Sequence, residues 1–218
     1  MSRHMVKIFA AGGCASALLA VALLTHSSSS AASRLQSPTA GAGARVVAVN
    51  GSGCPHGTVS VHELPDLAGF RAMYTDFRAE TGPGNVLNFR KNCQFGVRMQ
   101  APPGYAYTAV SAQYHGYGRL ASGTRSQQET SYYVQGQPQT VSRSHPLSGP
   151  LNGPWSHAEN LMLSALGTAA CGQVRILNIN AQLIVFPGGL AAGPANYLTL
   201  NSANRGYTTY HFSRARCP

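Results

Sequence analysis

Gln94-Phe95-Gly96-Val97-Arg98-Met99-Gln100 sets Phe95, Val97 and Met99 at every second position, with Gln94, Gly96, Arg98 and Gln100 between them. Successive side chains of a strand point to opposite faces, so this stretch reads as a strand with one face on a core. Ala101-Pro102-Pro103-Gly104 ends it and demands a turn. Beyond the turn, Tyr105 to Tyr114 resumes the alternation, with Tyr107 and Ala109 opposite Thr108 and Val110.

The same pattern recurs along the chain. Thr58 to His62 puts Val59 and Val61 on one face, and Gly69 to Phe77 does so with Phe70, Ala72 and Tyr74. Gln127 to Gln135 reads as a strand, and so does Gln139 to Leu147, which Pro138 cannot enter as a central residue. Gln173 to Phe186 is the longest apolar stretch; Leu177, Ile179 and Ala181 alternate there with Ile176, Asn178 and Asn180. Tyr197 to Leu200 and Tyr207 to Phe212 complete the set. Gly82-Pro83-Gly84, Gly149-Pro150, Gly153-Pro154, Gly188-Gly189 and Gly193-Pro194 punctuate the runs. Many short strands with such turn signals predict an all-β fold, an antiparallel β-sandwich of jelly-roll-like form. Ala158 to Leu166 is rich in Ala, Leu and Met and stops at Gly167, and reads either as a short helix or as an edge strand.

The N-terminus has a different character. Arg3, His4 and Lys7 precede an apolar run from Ile8 to Leu24, and Ser30-Ala31-Ala32 offers small residues at a cleavage site. Residues 1–32 therefore read as a secretory signal peptide. The apolar run is 17 residues long and includes Gly12, Gly13 and Ser16. That is short for a hydrocarbon core of ~30 Å, so no stable membrane insertion is expected once the signal is cleaved. Cys14 lies inside the run, with Ala11 three positions before it, which argues against lipid attachment. Residues 33–49 are rich in Ser, Ala and Gly and read as a disordered spacer. Residues 50–218 are then one secreted domain, large enough to bury about two-thirds of its unfolded surface.

Without Cys14, four cysteines remain: Cys54, Cys93, Cys171 and Cys217. An even count in an exported chain points to two disulfides, and four cysteines allow three pairings. Local organisation favours Cys54–Cys93 and Cys171–Cys217. The first two each sit just ahead of a strand. The second two mark the start of the strand from Gln173 and the end of the strand from Tyr207, which would meet if those strands paired antiparallel. Cys54–Cys217 is the crossed alternative.

Several local motifs go together. Gly53-Cys54-Pro55-His56-Gly57-Thr58-Val59-Ser60 opens the domain; Arg90-Lys91-Asn92-Cys93-Gln94, Ser131-Tyr132-Tyr133-Val134-Gln135-Gly136, and Cys171-Gly172 leading into Leu177-Asn178-Ile179-Asn180 follow. From Gly53 to Cys217 the series resembles a family of small secreted proteins of filamentous fungi and actinobacteria, domain of unknown function 4360. The resemblance implies an exported all-β domain with two disulfides, and it carries no catalytic residue.

Chemistry is sparse. From Ser33 onward there are 14 basic residues against the 6 acids Glu63, Asp66, Asp76, Glu80, Glu129 and Glu159, a net charge near +8. Such a balance suits anionic partners such as cell-envelope polymers, although the arginines are scattered. Asp76 with Glu129 is a conceivable glycosidase pair that no spacing brings together. Histidines 56, 62, 115, 145, 157 and 211 form neither H-E-x-x-H nor H-x-H, no two cysteines have C-x-x-C spacing, and G-x-S-x-G is absent. No motif points to a catalytic residue, a metal, a cofactor or specific nucleic-acid readout.

The binding signal lies in the aromatics. Gly116 and Gly118 flank Tyr117, and Gly153-Pro154 precede Trp155, a setting that could leave both rings open to a sugar. Asn178 and Asn180 share a strand face, where amides either bond sugars or form ladders within the sheet. The expected function is a non-catalytic extracellular or envelope-associated binding module for glycans or anionic polymers, with Tyr117, Trp155, Asn178 and Asn180 as ligand-binding candidates. The alternative is a secreted hydrolase with no local motif, acting on polysaccharide or protein.

Overall fold

The computed structural model describes residues 42–82, 87–167, 171–186 and 195–218. The signal peptide, Cys14, spacer residues 33–41, and the turn signals Pro83-Gly84, Gly188-Gly189 and Gly193-Pro194 lie outside the described residues. The strands are β1 (Gly43–Asn50), β2 (Val59–Glu63), β3 (Gly69–Tyr74), β4 (Arg78–Thr81), β5 (Arg90–Gln100) and β6 (Tyr105–Leu120). They continue with β7 (Arg125–Val134), β8 (Thr140–Ser148), β9 (Leu151–Met162), β10 (Arg175–Val185), β11 (Asn196–Thr199) and β12 (Tyr207–Arg216).

They form an antiparallel β-sandwich. One sheet has five strands in the order β1-β5-β10-β7-β8. The other has seven, in the order β2-β3-β12-β6-β11-β4, with β9 paired to β6. Strand β6 organises the second sheet. It pairs with β9 over 109–120, with β12 over 105–115 and with β11 over 117–119. Phe95, Val97, Leu177, Ile179 and Leu183 face inward from the five-stranded sheet, and Phe70, Tyr74, Tyr114, Tyr210 and Phe212 from the seven-stranded one. Phe95 touches the opposite sheet through Phe70 and Tyr210, with ring centroids 5.3 and 6.0 Å apart. Burying a Phe ring of this kind contributes about 2–3 kcal/mol.

Three local expectations change. First, β1 occupies the second half of the expected spacer. Ala44 is fully buried, and the strand is laddered to β5 from Gly43↔Gln100 to Asn50↔Gln94. Its order comes from backbone bonds to a distant strand, which composition does not report. Second, Ala158 to Leu166 is divided: β9 runs to Met162, then Leu163–Leu166 make one 3₁₀ turn capped by Gly167 in the left-handed region. Third, the alternation predicted for Tyr105 to Tyr114 changes phase. Ser213 opposes Ala109 and Arg214 opposes Tyr107, leaving Thr108 as a bulge. The extra residue puts Tyr107 and Val110 together on the buried face.

The disulfides are Cys54–Cys93 and Cys171–Cys217, with Cα atoms 5.3 and 6.1 Å apart. The pairing matches the expectation, but the reason differs. Cys93 lies inside β5, and Cys54 sits in the turn after β1, which is β5's partner. Strands β10 and β12 are in different sheets, so they do not pair. Cys171–Cys217 instead joins the sheets at the end where the 101–104 turn carries the chain from β5 to β6. There the Cys217 N–H donates to the Gly104 carbonyl at 2.9 Å.

Candidate binding groove

Strands β11 and β12 lie end to end along one edge of β6, and the chain leaves the sheet between them. It detours through the 3₁₀ turn Ser202–Asn204 and returns through Arg205 and Gly206. The Gly206 N–H donates to the Asn201 carbonyl at 2.9 Å. The detour leaves a groove of about 620 Å³, lined by His115, Tyr117, Trp155, Asn204, Arg205 and Tyr207 among others.

Register explains who reaches it. His115 and Tyr117 alternate on β6 with Gly116, while Tyr207 opens β12 opposite His115. Trp155 opposes Gly116 across the β6–β9 ladder. A Cβ at 116 would lie 2.3 Å from Trp155 Cζ2 and 2.6 Å from the Thr199 carbonyl oxygen. The glycine therefore makes room for the indole, which is only 7% exposed. At Gly118 a Cβ would meet Leu151 and Leu198 at 2.7 and 2.9 Å. These glycines admit inner-face side chains rather than uncovering Tyr117, which is a different use from the one expected of them.

The groove's walls are layered rings and cations. The Tyr207 ring stacks on His115, centroids 4.4 Å apart, and Arg71 Cζ lies 4.8 Å from its centroid. Tyr117 stacks on Tyr197 at 6.5 Å and donates its hydroxyl to Asn152 Oδ1 at 3.1 Å. Arg78 covers Tyr197 at 3.7 Å and donates to Glu80 at 2.7 Å. Ring and polar tip are thus held together, as an amphipathic ligand requires.

Behind Trp155 lies an inter-sheet polar cluster. His157 stacks on Trp155 at 5.3 Å and on His145 at 3.8 Å. The His157 Nε2–H donates to Gln128 Oε1, and Gln128 Nε2 donates to Thr130 Oγ1 at 2.7 Å. Glu159, 6% exposed, accepts from His145 Nε2 at 2.8 Å, Tyr132 at 2.5 Å and Tyr114 at 3.2 Å. Burial, then the neighbouring charges of His145 and His115, hold His157 down to about 4, so it is neutral at neutral pH. Burial above all pushes the Tyr114, Tyr132 and Tyr210 hydroxyls well above the ordinary phenol range. Tyr132 and Tyr114 donate to the Glu159 carboxylate, and the Tyr210 hydroxyl pairs with that of Tyr114 at 3.3 Å.

Tyr117 and Trp155 thus line one groove. Asn178 and Asn180 lie elsewhere, on the outer face of the five-stranded sheet. Asn178 Oδ1 accepts from Gln94 at 3.2 Å, and Asn180 Oδ1 from Asn92 at 3.1 Å, which is the ladder arrangement. No contact joins Asp76 to Glu129; the latter accepts from Gln127 at 2.9 Å on β7. His115, Arg205 and Tyr207, and the His145–His157–Glu159 cluster, were not singled out from the sequence. Their partners are set by register between strands far apart in the chain. Among the described residues no group of three His, Cys, Asp or Glu side chains could hold a metal ion, and no helix is long and apolar enough to cross a membrane.

The family model described as Domain of unknown function (DUF4360) matches residues 42–217. An uncharacterized secreted protein of Arthroderma benhamiae is 34% identical over 139 residues, covering 63% of this chain; the chain spans 56% of that protein's length. Among solved structures, TmCBM61 in complex with β-1,4-galactotriose superposes with a TM-score of 0.33 at 10% identity, over 78% of this chain and 88% of that one. The carbohydrate binding module CBM6cm-2 of Cellvibrio mixtus lichenase 5A, in complex with cellotriose, gives 0.28 at 9% identity, over 77% and 98%.

Proposed function

We propose that this chain, which belongs to the DUF4360 family, is a non-catalytic extracellular module that binds glycans in the groove beside Trp155. The observation that carries the reading is the groove's make-up: about 620 Å³ lined by Tyr117, Tyr207, His115 and Trp155, with Asn204 and Arg205 beside them. Rings give a sugar's C–H face an apolar surface, and fixed amides, hydroxyls and guanidinium groups bond its hydroxyls. The groove is built on strands, with one short turn as its lip, so it is largely preformed. Asn178 and Asn180 belong to another face and take no part in it.

The hydrolase reading has one feature to stand on, the Glu159–His145 contact. Against it, Glu159 is enclosed by its partners, and no second carboxylate touches it among the described residues. The chain has a single tryptophan. Its fluorescence therefore reports the groove directly during titration with soluble oligosaccharides chosen from a glycan array. The proposal expects saturable binding that Tyr117→Ala weakens about tenfold or more with an unchanged melting temperature. An array without signal would refute it, and release of reducing ends would favour the hydrolase.

A further inference from the structure

Arg205 has an unusual place in the chain. It follows the 3₁₀ turn with φ 61° and ψ 24°, in the left-handed region that favours glycine. Its N–H donates to the Ser202 carbonyl at 2.9 Å, and Gly206 bonds back to Asn201 at the same distance, so the turn holds it there. A side chain in this conformation is disfavoured relative to glycine. Arg205 is exposed on the lining of the groove. Some arginines are engaged elsewhere, Arg45 with Glu63 at 3.1 Å, Arg78 with Glu80 at 2.7 Å and Arg90 with Gln182 at 2.7 Å; what sets Arg205 apart is its place on the lining of the groove.

The charge on the groove's lining has one sign. None of the residues lining it is acidic. Arg71 lies over Tyr207, its wall, and His115 stacks on that same ring. The Trp155 Nε1–H, on the ring beneath Gly116, is a buried donor without an acceptor. A neutral sugar would leave the Arg205 charge unpaired; a carboxylate would meet its planar fork in a bidentate contact.

We infer that the groove takes acidic glycans, sugar chains carrying carboxylates, and that Arg205 is the specificity residue that reads the anion. This rests on the glycan reading above. Binding is then salt-dependent, because the rim charges lie at the surface, where ions screen them over ~8 Å at physiological ionic strength.

The test titrates the purified protein, followed by Trp155 fluorescence and calorimetry, with a galacturonic acid trimer and a neutral galactose trimer at low and high salt. The acidic trimer should bind about tenfold or more tightly, with the advantage shrinking at high salt. Arg205→Gly suits the left-handed backbone, so it keeps the fold, checked by melting temperature. It should bring the acidic trimer down to the neutral one's affinity. Arg143→Ala, on exposed β8, should leave the preference intact. Equal or tighter binding of the neutral trimer, or a preference that survives Arg205→Gly, overturns the acidic specificity while the glycan reading stands. Loss of the preference in Arg143→Ala as well assigns it to net charge and also overturns the proposal. Binding of neither trimer, with an empty glycan array, overturns both readings.

Discussion

The imidazole of His157 lies parallel to the indole of Trp155, centroids 5.3 Å apart and planes 14° from each other. Through this contact the groove and the buried polar cluster are one construction. Whatever charges or displaces His157 is felt by the ring beside the groove.

Stability should depend on pH through His157. His157 is held at about 4 in the folded state, from an ordinary value of 6.5, by burial and then by His145 and His115. The unfolded chain therefore binds this proton more readily than the folded one. The contribution is fully present above about pH 6.5 and is lost as pH falls toward about 4. Melting temperature should drop across that window, and His157→Gln should flatten the drop. A His157→Gln profile parallel to wild type would disprove the assignment.

Glu159 offers a second test. Replacing it by Ala removes the acceptor shared by the buried Tyr132 and Tyr114 hydroxyls and the part-exposed His145 Nε2, although Tyr114 keeps Thr130 and Tyr210 as partners. Stranding such buried groups should cost about 3–5 kcal/mol in urea unfolding. Glu159→Gln preserves shape and an acceptor, and should cost less. Equal losses in the two variants would show that packing, not donor satisfaction, sets the penalty.

At Gly116 the added methyl group of Ala would need the space of Trp155 Cζ2 and of the Thr199 carbonyl. Gly116→Ala should destabilise by about 1–3 kcal/mol and shift Trp155 emission to the red, as overpacking drives the ring toward water. An unmoved spectrum would show that the ring does not depend on this glycine.

The disulfides close sequence separations of 39 and 46 residues. Each should contribute about 4 kcal/mol in the chain-entropy model, a large share of a domain's net ~5–15 kcal/mol. Non-reducing peptide maps should join Cys54 to Cys93 and Cys171 to Cys217. Reduction, confirmed by thiol labelling, should lower the melting temperature sharply; no change would show the bridges to be dispensable.

Much of the architecture was legible in the chain. Period-two runs such as Phe95-Val97-Met99 and Leu177-Ile179-Ala181 declared strands and their buried faces, because side-chain alternation is a local property of extended backbone. Ala101-Pro102-Pro103-Gly104 declared a turn for a similarly local reason, and the cysteine count declared two bridges. Tertiary structure decided the rest. Composition made a spacer of the segment that β5 orders as β1. A bulge at Thr108 brought Tyr107 and Val110 to one face. Cys171 and Cys217 met between sheets rather than within one. Tyr117 and Trp155 stood out as aromatics among glycines, yet what Gly116 does for Trp155, and which of His115, Tyr207, Arg205 and Glu159 stand near it, depends on strand register and on the space between two sheets. Those are relations among residues up to about a hundred positions apart, and no local pattern encodes them.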